Sequence, residues 1–550
     1  MKDFKKSVFY QIYPKSFKDS NGDGFGDIKG VTTSLGYLKD LGVDYIWLTP
    51  FYISPQKDNG YDVQDYKSID KRFGTMEDFE ELVAESKKLD IDIMLDMVFN
   101  HTSTEHQWFK NALNGDKKYK DYYIFKAPVD GKEPTNWISK FGGNTWGYVE
   151  RFDEYYLHLF DKTQADLNWE NKAVREEIYD VVNYWVKKGV KGFRLDVINL
   201  ISKPEEFIND YEGDGRRFYT DGPKIHEYLK ELNSNSFGKN KDLITVGEMS
   251  STSIENCVRY SNPQEQELDM VFNFHHLKVD YKNGEKWTLM DFDFMKLKNL
   301  LNEWQIGMEK GWNALFWCNH DQPRIVSRFG DDKKYPKESA KMLATTLHLL
   351  RGTPYIYQGE EIGMTNAYFD NIEEYRDIES INYYNILKSE GKSEKEIIKI
   401  LQAKSRDNSR TPMQWSSEKN SGFTEGTPWI PLSKSTDITV KSSLRDEDSV
   451  YYHYKKLISL RKEHDIIAYG NYRPILENNL KVFGYIRSYE NKELIVLNNF
   501  YGETIDVDIK EFVDEYKTLD ILISNYKDST KDLKNIKLRP YESIAYIIEK

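Results

Sequence analysis

The chain has 550 residues, several times the usual size of one domain, which excludes a single small module. Its formal net charge is −13 and its pI is about 5.5, so general binding to nucleic acids or anionic membranes, which requires basic surfaces, is not expected. Hydrophobic residues make up 39% and aromatic residues 14%, which supports a large core with an excess of flat rings.

The first residues, MKDFKKSVFYQIYPKSF, begin with basic side chains and break to polar residues before the apolar run of a secretory signal can form. No stretch approaches the roughly 20 apolar residues that a membrane-spanning helix requires. The two cysteines, Cys257 and Cys318, lie far apart and give no disulfide framework. We therefore expect a cytoplasmic protein without a membrane segment.

The stretch DSNGDGFGD, residues 19–27, is rich in oxygen-bearing side chains and glycine. Its acidic and amide residues fall at positions 1, 3, 5 and 9 of a loop, with Gly24 at the sharp turn, as at the start of a Ca²⁺-binding loop. Gly30 stands where a full EF-hand has its bidentate glutamate. A phosphate site is disfavoured because the loop has no Lys or Arg, whereas a plain turn stays open beside a short metal loop. The candidate ligands are Asp19, Asn21, Asp23 and Asp27.

Short β-rich runs alternate with helical patterns along most of the chain. One such pattern places Val174, Ile178 and Trp185 on a single helix face, and Thr75 with Asp78 predicts a capping box. Alternating strands and helices predict a parallel sheet, and eight such units predict closure into a (β/α)₈ TIM barrel of the α/β class. The predicted strands are 8–14, 43–50, 91–100, 190–198, 242–249, 268–274, 313–321 and 353–361.

Two parts of the chain depart from this alternation. A segment rich in Trp, Tyr, Gly and Asn predicts a small inserted domain after the third strand, over the barrel mouth. Near the end, short strands between charged turns predict a C-terminal antiparallel β-sandwich. The charged segment 386–402 predicts a solvated helix. The predicted domains are the barrel at 1–100 and 169–475, the insertion at 101–168 and the C-terminal domain at 476–550.

Polar side chains stand at the C-terminal ends of four predicted strands, where barrel enzymes place their chemistry. One acidic residue beside a barrel strand is more often a cap or an ion pair, but four such groups together favour glycoside cleavage. In that reaction one carboxylate attacks the anomeric carbon, another protonates the leaving oxygen, and neutral histidines can bind hydroxyl groups. The four groups are Asp96 with Asn100 and His101, Arg194 with Asp196, Glu248, and His320 with Asp321.

Four motifs carry a resemblance to a known family. DMVFNH at 96–101, GFRLDVI at 192–198, GEM at 247–249 and NHD at 319–321 resemble the four signatures of the α-amylase family, glycoside hydrolase family 13. They occur in the family's order, and each lies on its expected strand. The resemblance covers about residues 5–435 and weakens in the C-terminal domain.

The resemblance implies a role for each matching residue. Asp196 is the implied nucleophile, Glu248 the general acid/base and Asp321 a transition-state stabiliser that grips sugar hydroxyls. Arg194, two residues before Asp196 on one strand, points to the same side and is expected to hold Asp196 ionised. A retaining mechanism needs the two carboxyl groups about 5–5.5 Å apart and no catalytic cofactor. The implied sugar-binding residues are Tyr61, Asp62, His101 and His320.

Further stretches are similar to the exo-acting branch that includes oligo-1,6-glucosidases and trehalose-6-phosphate hydrolases. They are QADLNWEN at 164–171, Val197, and RDNSRTPMQW at 406–415. By this resemblance Arg406 and Arg410 reach into the pocket, and one of them pairs with Asp62.

Within this branch, four stretches look most like the members that cleave a phosphorylated disaccharide. The implied reaction is retaining hydrolysis of α,α-trehalose 6-phosphate to glucose and glucose 6-phosphate. The phosphate requires cations near the leaving group, and Lys278, Lys282 and Lys286 follow the sixth strand, where barrel loops frame the pocket. The four stretches are PTNWISKFGG at 134–143, EGDGRRFYTDGP at 212–223, KVDYKNGEKW at 278–287 and GWNALFWCNHDQPR at 311–324.

The resemblance also bears on the loop at 19–27. Related members carry Ca²⁺ or Mg²⁺ there, with the Phe25 backbone carbonyl as a further ligand, which favours a structural metal away from catalysis.

Other functions stay open. An oligo-1,6-glucosidase acting on isomaltose, or a related transglycosylase or isomerising enzyme, would use the same carboxylates. A non-enzymatic barrel of a transporter subunit is disfavoured because this chain keeps the full catalytic set and shows no membrane anchor.

Overall fold

The computed structural model describes residues 2–513 and 515–550. Strands and helices alternate through the first two thirds of the chain, and strands dominate its end. The strands in the described ranges are β1 (Phe9–Ile12), β2 (Tyr45–Leu48), β3 (Tyr52–Ile53), β4 (Asp65–Ile69), β5 (Asp92–Val98), β6 (His101–Ser103), β7 (Phe125–Lys126), β8 (Trp146–Val149), β9 (Glu154–Leu157), β10 (Gln164–Asp166), β11 (Gly192–Asp196), β12 (Ile244–Glu248), β13 (Met270–Phe272), β14 (Ala314–Leu315), β15 (Thr353–Tyr357), β16 (Asn471–Ile475), β17 (Val482–Tyr489), β18 (Lys492–Asn499), β19 (Ile505–Val507), β20 (Thr518–Ser524), β21 (Ile536–Leu538) and β22 (Ser543–Glu549).

The helices pack mainly through their apolar faces. None of those in the described ranges combines the length and apolar character that crossing a bilayer requires. They are α1 (Ile28–Thr33), α2 (Leu35–Leu41), α3 (Met76–Lys88), α4 (Gln107–Leu113), α5 (Lys117–Lys120), α6 (Lys172–Lys187), α7 (Arg216–Tyr219), α8 (Ile225–Asn235), α9 (Ile254–Ser261), α10 (Phe294–Gly307), α11 (Ile325–Phe329), α12 (Pro336–His348), α13 (Ile378–Ser389), α14 (Glu394–Lys404), α15 (Asp407–Arg410), α16 (Val440–Ser443), α17 (Val450–Glu463) and α18 (Asp465–Tyr469).

Eight parallel strands form the barrel, in the order β13-β12-β11-β5-β2-β1-β15-β14. Val271 of β13 pairs in parallel with Asn313, the residue before β14, which brings the two edges of the sheet together. Each of these strands lies within one of the eight predicted runs. The predicted (β/α)₈ barrel is therefore confirmed.

Local sequence explains why these elements form where they do. The strands β5 and β11 are buried along almost their whole length, which is why they read as nearly continuous apolar runs. The α6 face with Val174, Ile178 and Trp185 is buried as predicted, and each such side chain contributes about 1.5–3 kcal/mol of burial energy. The helix α3 begins with the predicted capping box of Thr75 and Asp78.

Two regions flank the barrel. Between β5 and α6, the strands β7, β9 and β8 form a small antiparallel sheet, and β6 pairs with β10. At the end of the chain, β16-β17-β18-β22-β20 form an antiparallel sheet that shares a core with the β19-β21 pair. Because β16 pairs with β17 along its length, this sheet begins at Asn471, before the predicted boundary at 476. The bounds of the inserted domain stay a prediction.

The predicted solvated helix at 386–402 is wrong in part. The segment contains the end of α13 and most of α14, and Ile397 and Leu401 of α14 are buried in a core with Trp287. These two residues are one helical turn apart, so they pack as a pair against the barrel loops. The same packing positions Asp377, whose side chain caps the N-terminus of α13, beside the candidate site.

Candidate active site

One cavity of about 270 Å³ opens at the C-terminal ends of the barrel strands. Its lining comes from the ends of β11 and β12, from the loops that follow β3, β13 and β14, from the insertion between β5 and α6, and from the segment after β15. Most of the residues predicted from the sequence meet here. Those that line the cavity are Tyr61, His101, Asp196, Glu248, Lys278, Lys286, Asp321 and Arg406.

The Arg194 guanidinium gathers three carboxyl groups beside this cavity. Arg194 and Asp196 lie two residues apart on β11, and Asp96 is the register partner of Arg194 on β5. Arg194 Nη1 donates to Asp96 Oδ1 at 2.7 Å and to Asp196 Oδ1 at 2.6 Å. Arg194 Nη2 donates to Glu248 Oε2. Asp196 and Glu248 thus bind the two terminal nitrogens of one guanidinium, which is compatible with the separation of about 5–5.5 Å that a double displacement needs.

Asp196 and Glu248 each keep one carboxyl oxygen free. Asp196 Oδ2 and Glu248 Oε1 accept no hydrogen bond from any residue of the described ranges, whereas Arg194 holds their other oxygens. Both residues line the cavity. The free oxygens are therefore available to a bound molecule.

Val197 follows Asp196 in a strained conformation. Its φ is 35° and its ψ is 39°, in the left-handed region that a β-branched residue rarely adopts. Such strain costs about 1–3 kcal/mol and occurs mainly at functional sites. The Val197 amide donates to Glu248 Oε2 at 3.2 Å, so the strained turn links the two candidate catalytic carboxyl groups.

Asp196 and Asp96 of this cluster each bind a proton more tightly than a solvated carboxyl group does. Burial raises the pKa of Asp196 well above its usual range, and the Arg194 guanidinium opposes this rise. The Glu248 and Asp96 carboxylates add to the rise in the pKa of Asp196. Burial also raises the pKa of Asp96, again against Arg194. Burial therefore favours the protonated forms of Asp196 and Asp96, and the guanidinium that both contact favours their charged forms.

Both predicted histidines are buried beside the cavity. Burial lowers the pKa of His101 to about 4, so its ring is neutral at pH 7. The ring of His320 stacks on that of Tyr61 with centroids 5.1 Å apart, and its Nε2 lies 3.2 Å from Asp321 Oδ2. The neutral ring of His101 can both donate and accept hydrogen bonds, which suits contacts to hydroxyl groups.

Arg406 and Arg410 both reach Asp321. Arg410 Nη2 donates to Asp321 Oδ1 at 2.7 Å, and Arg406 Nη1 donates to the same oxygen at 3.3 Å. Burial opposes ionisation of Asp321, but His320 and the two guanidinium groups outweigh it and hold the pKa of Asp321 well below its usual range. Asp321 is consequently ionised at neutral pH.

The predicted pairing of Asp62 with Arg406 or Arg410 is wrong. Arg406 Nη2 instead lies 3.0 Å from Asp58 Oδ1. The Asp62 carboxylate is occupied by its own loop, because it accepts hydrogen bonds of 2.8–3.1 Å from the Ser54 hydroxyl and from two backbone amides. These contacts stabilise the turn before Asp62 and occupy its carboxylate. Arg406 therefore pairs with Asp58, four residues earlier.

The three predicted lysines occupy different positions. Lys278 lines the cavity from a 3₁₀ turn after β13. Lys286 also lines it, and its ammonium group lies 2.7 Å from Glu379 Oε2. Lys282 is exposed in the intervening loop and is not part of the cavity lining. The structure brings two of the three lysines to the site.

Sequence reasoning misses several charged residues of the cavity. Lys140 lies inside PTNWISKFGG, a stretch already singled out, and Asp58 lies three residues before Tyr61. Glu379 lies in the first turn of α13 and carries no local signal. Its role depends on Lys286, which is 93 positions away.

The loop at 19–27 keeps its predicted turn. Asp19, Asn21 and Asp23 each accept a hydrogen bond from the backbone amide two residues later. Asp27 caps α1 through Gly30 N, and its other oxygen accepts from Ser20. Within residues 2–513 and 515–550, no group of three or more His, Cys, Asp or Glu side chains is arranged to hold a metal. The donors of this loop are all oxygens, the chemistry that Ca²⁺ and Mg²⁺ prefer.

Two family models match the chain. The model described as "Alpha amylase, catalytic domain" matches residues 11–470. The model described as "Alpha-amylase SusG C-terminal domain" matches residues 482–545. Together they cover the barrel with its insertion and most of the C-terminal sheet.

Similar proteins extend over the whole chain. The trehalose-6-phosphate hydrolase of Bacillus subtilis (strain 168) is 56% identical over 554 residues, covering 100% of this chain and 98% of that protein. The oligo-1,6-glucosidase of Parageobacillus thermoglucosidasius is 50% identical over 556 residues, covering 99% of each. The crystal structure of Bacillus licheniformis trehalose-6-phosphate hydrolase is 58% identical and superposes with a TM-score of 0.96 over 100% of both chains.

Proposed function

This chain belongs to the alpha-amylase family of glycoside hydrolases, and we propose that it hydrolyses α,α-trehalose 6-phosphate to glucose and glucose 6-phosphate with retention of configuration. The observation that carries the proposal is the pair of Asp196 and Glu248 on one Arg194 guanidinium, each with a free oxygen at the cavity. The identity to two kinds of exo-glucosidase, higher for the trehalose-6-phosphate hydrolase than for the oligo-1,6-glucosidase, supports the choice of substrate.

The proposed reaction has two displacements. Asp196 Oδ2 attacks C1 of the unphosphorylated glucose, while Glu248 donates its proton to the glycosidic oxygen and glucose 6-phosphate leaves. A water molecule then attacks C1 of the glycosyl-enzyme, and the Glu248 carboxylate takes its proton. The C1–Asp196 bond breaks, glucose is released, and both carboxyl groups return to their starting states.

The reaction requires a charged Asp196 and a protonated Glu248 at the start. The hydrogen bond of 2.6 Å from Arg194 to Asp196 favours the charged form of Asp196 against the burial that raises its pKa. The attacking oxygen then belongs to a charged Asp196 carboxylate, and a protonated Glu248 faces the leaving oxygen. In this assignment Arg194 holds both partners and does not touch the sugar.

The remaining residues are proposed to bind the glucose that reacts. Asp321, held ionised by Arg406 and Arg410, accepts hydrogen bonds from sugar hydroxyls and stabilises positive charge that develops at C1. His101, His320 and Tyr61 contribute polar and ring contacts. Asp62 stays a predicted ligand of the sugar, although its carboxylate already accepts three hydrogen bonds.

Turnover of three disaccharides tests the reaction and its specificity together. We expect kcat/KM for trehalose 6-phosphate to exceed that for trehalose and for isomaltose by at least about 100-fold, because the two unphosphorylated sugars forfeit the charge-assisted contacts of the phosphate, about 1.5–3 kcal/mol per bond. The Asp196→Asn variant serves as the blank for each substrate. Products are identified by chromatography and by anomeric NMR.

The alternatives give different results in the same assay. A higher kcat/KM for isomaltose would make this chain an oligo-1,6-glucosidase and overturn the proposed substrate. Transfer of glucose to a second sugar as the main product would make it a transglycosylase. Both outcomes would leave the retaining chemistry of Asp196 and Glu248 intact.

We also propose a structural Ca²⁺ or Mg²⁺ at the loop of Asp19, Asn21, Asp23 and Asp27 with the Phe25 carbonyl. The donors of this loop are all oxygens, which supports the proposal. Among the described residues, three or more of its acidic side chains do not come together around one point. A chelator is expected to lower the melting temperature by about 2–4 °C, because an ion that binds only the folded state stabilises it. Added Ca²⁺ should restore the value, and Asp23→Ala should remove the response. An unchanged melting temperature in the parent protein would contradict the site.

The proposed location is the cytoplasm. Cys257 and Cys318 are both buried free thiols, a state that a reducing compartment preserves.

A further inference from the structure

A strained turn brings two residues of the site to the cavity. Residues 56–60 lie in the loop between β3 and β4, and both Asp58 and the following Tyr61 line the cavity. Two residues of the turn that are not glycine have left-handed backbones, with φ of 62° at Gln56 and 48° at Asn59. Such conformations persist only where the surrounding structure fixes them. The turn therefore depends on contacts from outside itself.

The Lys15 ammonium group contacts both left-handed residues. Lys15 follows β1 in a 3₁₀ turn, and it is 7% exposed. Its Nζ donates to Asn59 Oδ1 at 2.9 Å and to Gln56 Oε1 at 3.4 Å, and lies 4.0 Å from the ring centroid of Trp429. In the described part of the chain no carboxylate forms an ion pair with it. Neutral amide oxygens and a ring face thus hold this buried cation.

The same turn makes direct contacts with the candidate site. Asp58 Oδ1, next to Asn59 in sequence, accepts from Arg406 Nη2 at 3.0 Å. The Tyr61 amide donates to Asp58 O at 3.1 Å, and the Tyr61 hydroxyl donates to Asp96 Oδ2 at 2.8 Å. A displacement of the turn would consequently move two side chains of the cavity lining together.

We propose that Lys15 is a positioning residue, which holds the turn at 56–60 and thereby places Asp58 and Tyr61 around the glucose that reacts. This inference rests on the proposed function, because it assumes that the cavity receives a glucosyl group. Lys15 does not line the cavity, so it acts through the two left-handed residues and not by contact with the sugar.

An ammonium group suits this position better than an apolar side chain does. It offers three donors, its hydrogen bonds to amide oxygens are charge-assisted, and the Trp429 ring face attracts a cation. Burying a cation without a counter-ion has a desolvation cost, which an apolar side chain of equal length would avoid. That side chain would, however, leave the strained turn without its donors.

Two substitutions of Lys15 separate its charge from its volume. Lys15→Met keeps the length of the side chain without a donor, whereas Lys15→Arg keeps both a cation and donors. We expect Lys15→Met to lower kcat/KM about 10- to 100-fold, equally for trehalose 6-phosphate and for an aryl α-glucoside, because both present the same glucose to the turn. Lys15→Arg should stay within about fivefold of the parent. The control Lys57→Met removes an exposed lysine of the same turn and should stay within twofold.

Inhibition by glucose distinguishes positioning from a loss of stability. A variant that is only less stable has a smaller folded fraction, which lowers kcat but leaves the inhibition constant of glucose unchanged. A displaced turn weakens the binding of glucose itself. We therefore expect Lys15→Met to raise the inhibition constant of glucose, measured against the aryl α-glucoside, at least about fivefold.

A double-mutant cycle tests the route through Asn59. Asn59→Gly removes the amide oxygen that Lys15 contacts, and glycine adopts a positive φ without strain. If Lys15 acts through Asn59, the two losses of kcat/KM are not additive. The double variant Lys15→Met/Asn59→Gly should then fall no more than about threefold below the weaker of the two single variants.

The outcomes separate this inference from the proposed function. The positioning role would be overturned, with the proposed function intact, by a Lys15→Met protein within threefold of the parent on both substrates or with the parent's inhibition constant for glucose. Failure of Lys15→Arg to exceed Lys15→Met, or losses that multiply in the double variant, would overturn it equally. A parent that cleaves the aryl α-glucoside but not trehalose 6-phosphate would overturn the proposed substrate alone, and a parent that cleaves neither would overturn both.

Discussion

Replacing Asp196 by Asn is expected to lower kcat at least about 10⁴-fold for both the phosphorylated disaccharide and an aryl α-glucoside, as losses of a nucleophile do. The amide cannot form the ester to C1, and a better leaving group does not repair that defect. The change amounts to about 5.5 kcal/mol of transition-state stabilisation. Single-turnover and steady-state kinetics on both substrates measure it.

The smaller variant Asp196→Ala distinguishes a nucleophile from a residue that only positions the substrate. Azide can occupy the space of the lost carboxylate and attack C1 of an aryl α-glucoside directly, which breaks the C1–O bond, forms a C1–N bond and inverts the centre. The expected product is β-glucosyl azide, identified by NMR.

Asp180→Asn is the matched control for these variants. Asp180 is exposed on α6 and pairs with Lys67, and neither residue lines the cavity, so its loss should leave kcat within twofold of the parent. An Asp196→Asn protein with more than a tenth of the parent activity, and with an unchanged melting temperature, would remove Asp196 from the nucleophile role.

The barrel could be predicted because its strands are short runs buried on both faces and bounded by polar residues. β11, for instance, is buried at every position and ends at Asp196, so the apolar run and the functional residue mark the same boundary. The alternation of such runs with amphipathic helices such as α6 leaves few ways to cover a parallel sheet. The candidate carboxylates could be selected from the sequence because they stand at the C-terminal ends of the predicted strands.

The pairing of charges inside the site could not be predicted in the same way. Arg406 and its partner Asp58 are 348 positions apart, and no local pattern selects Asp58 over Asp62. The choice depends on the Ser54–Asp62 turn, whose own hydrogen bonds occupy Asp62. The position of Lys140 could not be predicted for a related reason, because only the folded insertion brings it to the cavity of the barrel.

The Arg194 cluster is better explained by chemistry than by stability. Burying one guanidinium with three carboxyl groups has a desolvation cost that a well-packed apolar cluster avoids, and Arg194 Nε lacks a hydrogen-bond partner in the described residues. The strain at Val197 adds to this cost. Buried charges at Arg194 and a strained backbone at Val197 both lower stability, and such costs occur together mainly at functional sites.

Glu248→Gln is expected to separate substrates by their leaving groups. Departure of glucose 6-phosphate needs a proton, so kcat/KM for trehalose 6-phosphate should fall about 10²–10⁴-fold. An aryl α-glucoside with an acidic phenol leaves without that help, so its kcat/KM should fall less than about tenfold. Its kcat should still fall, because water then attacks the glycosyl-enzyme without a base, and a burst of phenol should precede the steady state.

Azide also reports the position of the group lost in Glu248→Gln. The glucosyl azide that forms should have the anomeric configuration opposite to that of the product from Asp196→Ala. An anion needs no base, so azide attacks the glycosyl-Asp196 intermediate and restores turnover of the aryl substrate as α-glucosyl azide, with two inversions giving net retention. Glu255→Gln, an exposed change on α9, is the control and should behave as the parent.

Equal losses of kcat/KM on both substrates, without a burst and without rescue, would assign the acid/base role to another residue. The two azide products together identify which carboxyl group lies on which face of the sugar, because only a nucleophile and an acid/base on opposite faces give β-glucosyl azide from one variant and α-glucosyl azide from the other.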